Sequence, residues 1–144
     1  MVPGIRTAKV LWMEAGAMSG PPQHRHQIEF PNEIAEFFDE AARENEVIYM
    51  RLPGDDPVWR PLTYRGTDYG QWTDIWRLGL LTPRMGGPPY AERVIRIDKV
   101  RESRNMVYEL RVADLGSKDA VDWQRRSRYT GSTGGPAGRN FGIW

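Results

Sequence analysis

RVIRIDKVRESRNMVYELRVA, running from Arg93 to Ala113, is the stretch on which the fold reading turns. Its two ends, Arg93 to Val100 and Met106 to Ala113, are rich in β-branched and long apolar residues. The polar segment Arg101 to Asn105 separates them. That pattern predicts an antiparallel hairpin with a longer loop. In the second strand Met106, Tyr108, Leu110 and Val112 alternate with Val107, Glu109, Arg111 and Ala113. A period of two gives each set one face, and the first set has the composition of a core face.

Before the hairpin, Thr82 to Tyr90 contains Pro83, Gly86, Gly87, Pro88 and Pro89 and reads as a long surface loop rather than a linker. Thr73 to Leu81, Trp59 to Arg65 and Glu46 to Leu52 all have strand composition. Pro61 assigns the middle one to an edge or irregular strand, because proline donates no ladder hydrogen bond. Pro53-Gly54-Asp55-Asp56-Pro57 is a turn. Further upstream, Asn32 to Asn45 predicts a helix: Ile34, Phe37, Phe38, Ala41 and Ala42 form one apolar stripe, with Asn32 as its cap and Asn45 as its stop. Ile5 to Met13 is the first strand, and Glu14 to Gln27 is a loop.

After the hairpin, Asp114 to Arg126 predicts a short helix begun near Ser117. From Tyr129 onward Gly131, Gly134, Gly135, Gly138 and Gly142 make regular structure costly in backbone entropy. The expectation is therefore α+β: a single domain with a mixed or mainly antiparallel sheet, one principal amphipathic helix and an extended C-terminal arm. The compact part spans 1–130 and the Gly-rich arm 131–144.

The chain has 144 residues, 40% of them hydrophobic and 27% charged, a composition that supports a packed core and excludes a disordered chain. It has no cysteine, which rules out disulfides, thiolate metal sites and thiol nucleophiles. Val10 to Met13 is too short for a signal-peptide core, and no stretch approaches the roughly 20 apolar residues of a membrane span. The expectation is a non-secreted protein without membrane insertion, cytoplasmic or within an intracellularly assembled particle.

The net charge of +1 conceals a gradient: Glu29 to Asp56 sums to −7, and Arg93 to Trp144 to +5. Such a distribution can orient a protein against a partner, although folding can also bring the two regions together.

Motifs for chemistry are sparse. His24 and His26 share a side only if the loop is extended, and no third metal ligand accompanies them. The acidic row Glu33, Glu36 and Glu40 reads as a solvated helix face rather than a catalytic carboxylate pair. Gly131 to Gly138 lacks the Gly-x-x-x-x-Gly-Lys-Ser/Thr order of a phosphate loop. No catalytic residue, cofactor or metal site is assigned.

The segment from Trp123 is more informative, with four arginines and no acidic side chain. Trp123, Tyr129, Phe141 and Trp144 are candidate anchors for protein subunits of an assembly, since aromatic residues often anchor interfaces. Arg125, Arg126, Arg128 and Arg139 support a second reading, DNA or RNA binding through phosphates with the aromatics stacking on bases. The leading expectation is a non-catalytic structural or adaptor subunit of a larger macromolecular assembly, such as a phage particle.

Overall fold

A computed structural model of the chain describes residues 2–18, 25–66, 74–133 and 138–144. At its centre is the hairpin, longer and tighter than expected. β6 (Arg93–Glu102) and β7 (Asn105–Asp114) pair along their whole length, leaving only Ser103 and Arg104 as the turn. Tyr108 and Leu110 face the core; Met106 and Val112 pack against its margin.

Seven more strands join them: β1 (Val10–Glu14), β2 (Gln27–Pro31), β3 (Val47–Arg51), β4 (Val58–Gly66), β5 (Ile75–Gly79), β8 (Tyr129–Ser132) and β9 (Asn140–Ile143). Their order across the sheet is β2-β5-β4-β3-β7-β6-β1-β9-β8. Among the described residues every strand pairing is antiparallel except β3 with β7. The sheet curls around its apolar face, so that Phe30 and Ile28 of β2 share one core with Phe141 and Ile143 of β9.

This architecture overturns the α+β expectation. Strand accounts for 45% of the described residues and helix of every kind for 19%, the α-helices being three short pieces: α1 (Asn32–Ala35), α2 (Glu40–Asn45) and α3 (Lys118–Arg126). The principal helix expected over Asn32 to Asn45 is broken between α1 and α2. Phe37 and Phe38 lie in the break and are both fully buried. Neighbouring residues on a helix point about 100° apart, whereas here both rings enter the core. Phe38 stacks on Phe30 at 5.8 Å and meets Tyr108 at 5.2 Å. Burying each ring contributes about 1.5–3 kcal/mol, more than the net 0.5–1.5 kcal/mol of a helical hydrogen bond. Asn32 does not cap the helix; its Oδ1 accepts from Trp76 Nε1 at 3.1 Å.

The extended C-terminal arm is overturned as well. β9 pairs with β1, setting Leu11 against Ile143 and Met13 against Phe141, and β8 covers its other side. Phe141 and Ile143 alternate onto the core face, so their burial and two ladders offset the entropy of the glycines. Gly134 and Gly135 lie outside the described residues.

Pro61 sits inside the sheet rather than at its edge. β4 pairs with β3 from Val58 to Pro61 and with β5 from Leu62 onward, so the proline falls where the strand changes partner. Such a hand-over is a place where a missing N–H is tolerated.

The curl brings the free edge of β2 to the start of β9. Arg139 closes that seam, its Nη2 donating to the Glu29 main-chain carbonyl. Burial moves the Arg139 guanidinium below its ordinary pKa, with Glu29 and Glu14 opposing.

Candidate partner-binding face

The outer face of β3, β7 and β6 is built from alternating charges. The hairpin register sets Arg96 opposite Arg111 and Asp98 opposite Glu109, two like-charge pairs that would destabilise the ladder if left as they stand. The side chains resolve this by pairing along strands and diagonally. Arg96 donates to both Asp98 oxygens at 2.7 and 2.8 Å. Arg111 lies 3.5 Å from Asp98 and 3.4 Å from Glu109. Arg51 donates to Glu109 at 3.0 Å and also pairs with Glu102. The hydrogen bond to Glu102 is the largest influence raising the Arg51 pKa, and burial opposes it. Individual surface pairs of this kind stabilise little; the network's effect here is to hold six long side chains in place with their charges matched.

At one end the network runs into tryptophan. The Arg96 guanidinium lies 5.5 Å from the Trp123 ring centre and 5.0 Å from that of Trp144, within cation–π range of both. α3 positions Trp123. It starts at Ser117, as expected, with Ser117 Oγ accepting from the Ala120 amide at 3.3 Å.

At the other end the face carries aromatic surface. Tyr49 stands two residues before Arg51, hence on the same side of β3, and β4 sets Trp59 directly opposite it. Tyr49 is 50% exposed and Trp59 61%, although both belong to paired strands in the middle of the sheet.

Beside Tyr49 the sheet forks. β3 and β7 pair only at Met50 with Tyr108 and Arg51 with Glu109. The same register carried back would set Val47 against Asn105, but no pairing joins the strands there. A cavity of about 460 Å³ opens instead, bounded by Val47 and Ile48 of β3, Met106 and Tyr108 of β7 and Ala42 of α2, with Arg101, Arg104 and Asp39 also lining it. A second cavity, about 530 Å³, meets the fork from the outer face at Tyr49, Asn105 and Val107. The Tyr108 hydroxyl accepts from the Asp39 amide at 3.1 Å. Burial pushes its pKa up to about 12.

The residues singled out from sequence are distributed differently. Trp123 and Phe141 are buried, Tyr129 lies 6.2 Å from the Phe141 ring, and Trp144 is half-buried over Arg96. Arg139 closes the seam, Arg128 donates to the Gly4 carbonyl at 3.3 Å, and Arg126 pairs with Asp122 at 2.9 Å. Arg125 is exposed on α3. His26 packs edge-on to Tyr90 at 6.3 Å, and His24 lies outside the described residues. No group of three or more metal-ligating side chains occurs among the described residues. Nor is any described helix long and apolar enough to cross a membrane.

Sequence reasoning missed Tyr49, Trp59, Arg101 and Arg104. The signal for Tyr49 was present, since Ile48 and Met50 flank it with the core parity. Nothing local revealed that Trp59 would stand opposite or that β3 and β7 would separate. No protein-family model matches the chain, and no curated protein matches its sequence.

Proposed function

We propose that the chain is a non-catalytic structural or adaptor subunit of a larger macromolecular assembly, docking a protein partner on Tyr49 and Trp59. The observation that carries this reading is the exposed aromatic pair set opposite one another on two paired mid-sheet strands. Large rigid aromatics contribute contact area at low entropic cost, and tyrosine and tryptophan are enriched among interface hot spots. The charge-matched network beside them provides the polar surround of such a patch. A phage particle is one setting for a subunit of this kind.

Affinity purification from the native host tests it, using wild type and a Tyr49→Ser/Trp59→Ser double variant, each with and without nuclease. A protein retained by wild type after nuclease treatment and lost from the variant is the expected result. A hot-spot residue costs 2 kcal/mol or more, so each substitution should weaken binding about 30-fold. Association abolished by nuclease would instead select nucleic-acid binding through Arg125, Arg126, Arg128 and Arg139. Equal retention by both proteins would remove Tyr49 and Trp59 from the interface.

A further inference from the structure

We infer that the fork between β3 and β7 is a docking cleft for an extended, acidic segment of a partner protein. The inference rests on the adaptor reading and specifies the chemistry of the partner.

The main chain supplies the first argument. Three residues at the start of each strand, 47–49 and 105–107, lie beyond the two paired positions. β3 is held on its other side by β4, and β7 is held by β6 throughout. Both are therefore fixed in extended form with strand edges facing a space of about 460 Å³. An extended chain offers the donors and acceptors such edges lack, which is how peptides add to sheets.

Charge supplies the second. Arg101 and Arg104 line the cleft, are exposed, and form no ion pair among the described residues. This contrasts with Arg51, Arg96 and Arg111 nearby, each matched to a carboxylate. Asp39 is the only carboxylate among the residues lining this cleft. Two unmatched guanidinium groups against one carboxylate leave the rim basic, and arginine binds carboxylates with two parallel hydrogen bonds. Apolar side chains of the incoming segment would rest on Ala42, Ile48 and Met106.

The test is an NMR titration of the full chain with an acetylated, amidated octapeptide alternating valine with glutamate. Its control is the same peptide with lysine in place of glutamate. The expected result is saturable shifts of the amides of residues 47–49 and 105–107 with the glutamate peptide alone. Arg101→Glu/Arg104→Glu should weaken binding about tenfold or more, through two lost ion pairs and added repulsion. Both positions are exposed, so the variant should keep its fold, and Arg125→Glu should leave affinity unchanged. The inference is overturned if the fork amides do not move at millimolar peptide. Equal binding of the lysine peptide, or undiminished binding by the double variant, also overturns it. Loss of the fork with retention of a partner dependent on Tyr49 and Trp59 leaves the adaptor reading standing. Peptide binding in the fork without any such partner does the reverse.

Discussion

At Gly142 a hydrogen atom stands where any side chain would collide. A Cβ there would lie 2.3 Å from Trp12 Nε1 and 2.6 Å from Ser127 Oγ. Those two atoms are themselves joined, the indole N–H donating to the hydroxyl at 2.6 Å. Gly142→Ala should therefore cost about 2–4 kcal/mol, combining overpacking with the displaced hydrogen bond, and a urea midpoint measures it. In a Trp12→Phe background, which removes the colliding part of the ring, the same substitution should cost less; an unchanged cost would contradict the geometry. Tyr108 sets a second test. Its folded pKa of about 12 exceeds the ordinary 10, so between those values the native state holds the proton more tightly than the unfolded chain. Stability must then fall as pH rises through that window, by up to about 1.4 kcal/mol per pH unit. Burial raises Tyr90 also, adding to the fall. Burial lowers Lys99, which raises stability with pH, but only up to its unfolded value of 10.5. Denaturant unfolding across this alkaline range should show a shallower decline in Tyr108→Phe than in wild type.

Among the elements, the hairpin was the most legible because its pattern is local. Alternation in β7 identifies the core face without knowledge of any partner strand. Leu110→Asp, placing a charge at a fully buried position, should lower the melting temperature far more than Arg111→Ser on the outer face; equal losses would refute the assignment. The tightness of the turn was not legible. Ser103 adopts φ 55°, at the first position of a two-residue turn where glycine is favoured. Ser103→Gly should consequently stabilise the protein by about 0.4–1 kcal/mol, read from the same denaturant curves. The helix over Asn32 to Asn45 misled for a physical reason. Its periodicity was genuine, but Phe30 and Tyr108, distant in sequence, offered burial to two adjacent rings that a continuous helix could not orient together. Tyr49 shows the same limit in the candidate site: alternation gave its face, while its exposure depends on which strands lie beside β3.

For the whole molecule, strand order follows from contacts that no short window contains. Pro61 argued for an edge or irregular strand; β4 is central, and its irregularity is the change of partner at that residue. The glycine-rich tail argued against structure, yet β9 lies between β1 and β8. Among the described residues the seam of the curled sheet is bridged by Arg139 rather than by a further ladder, and its guanidinium bond to Glu29 should be worth about 1.5–3 kcal/mol. Arg139→Met keeps much of the apolar stem while removing that bond. Hydrogen exchange should then accelerate at β2 amides more than in β6 and β7, whereas uniform acceleration would argue against a local seam. The place of β9 also bears on how the protein is made. β1 is synthesised early and can meet β6 once the hairpin emerges, but its other edge awaits residues 140–143. At about 5–20 residues per second, that edge remains open on the ribosome for on the order of ten seconds. Throughout that interval the nascent chain presents an unpaired strand to its neighbours, so crowded translation and early termination are the conditions under which this fold is most exposed to aggregation.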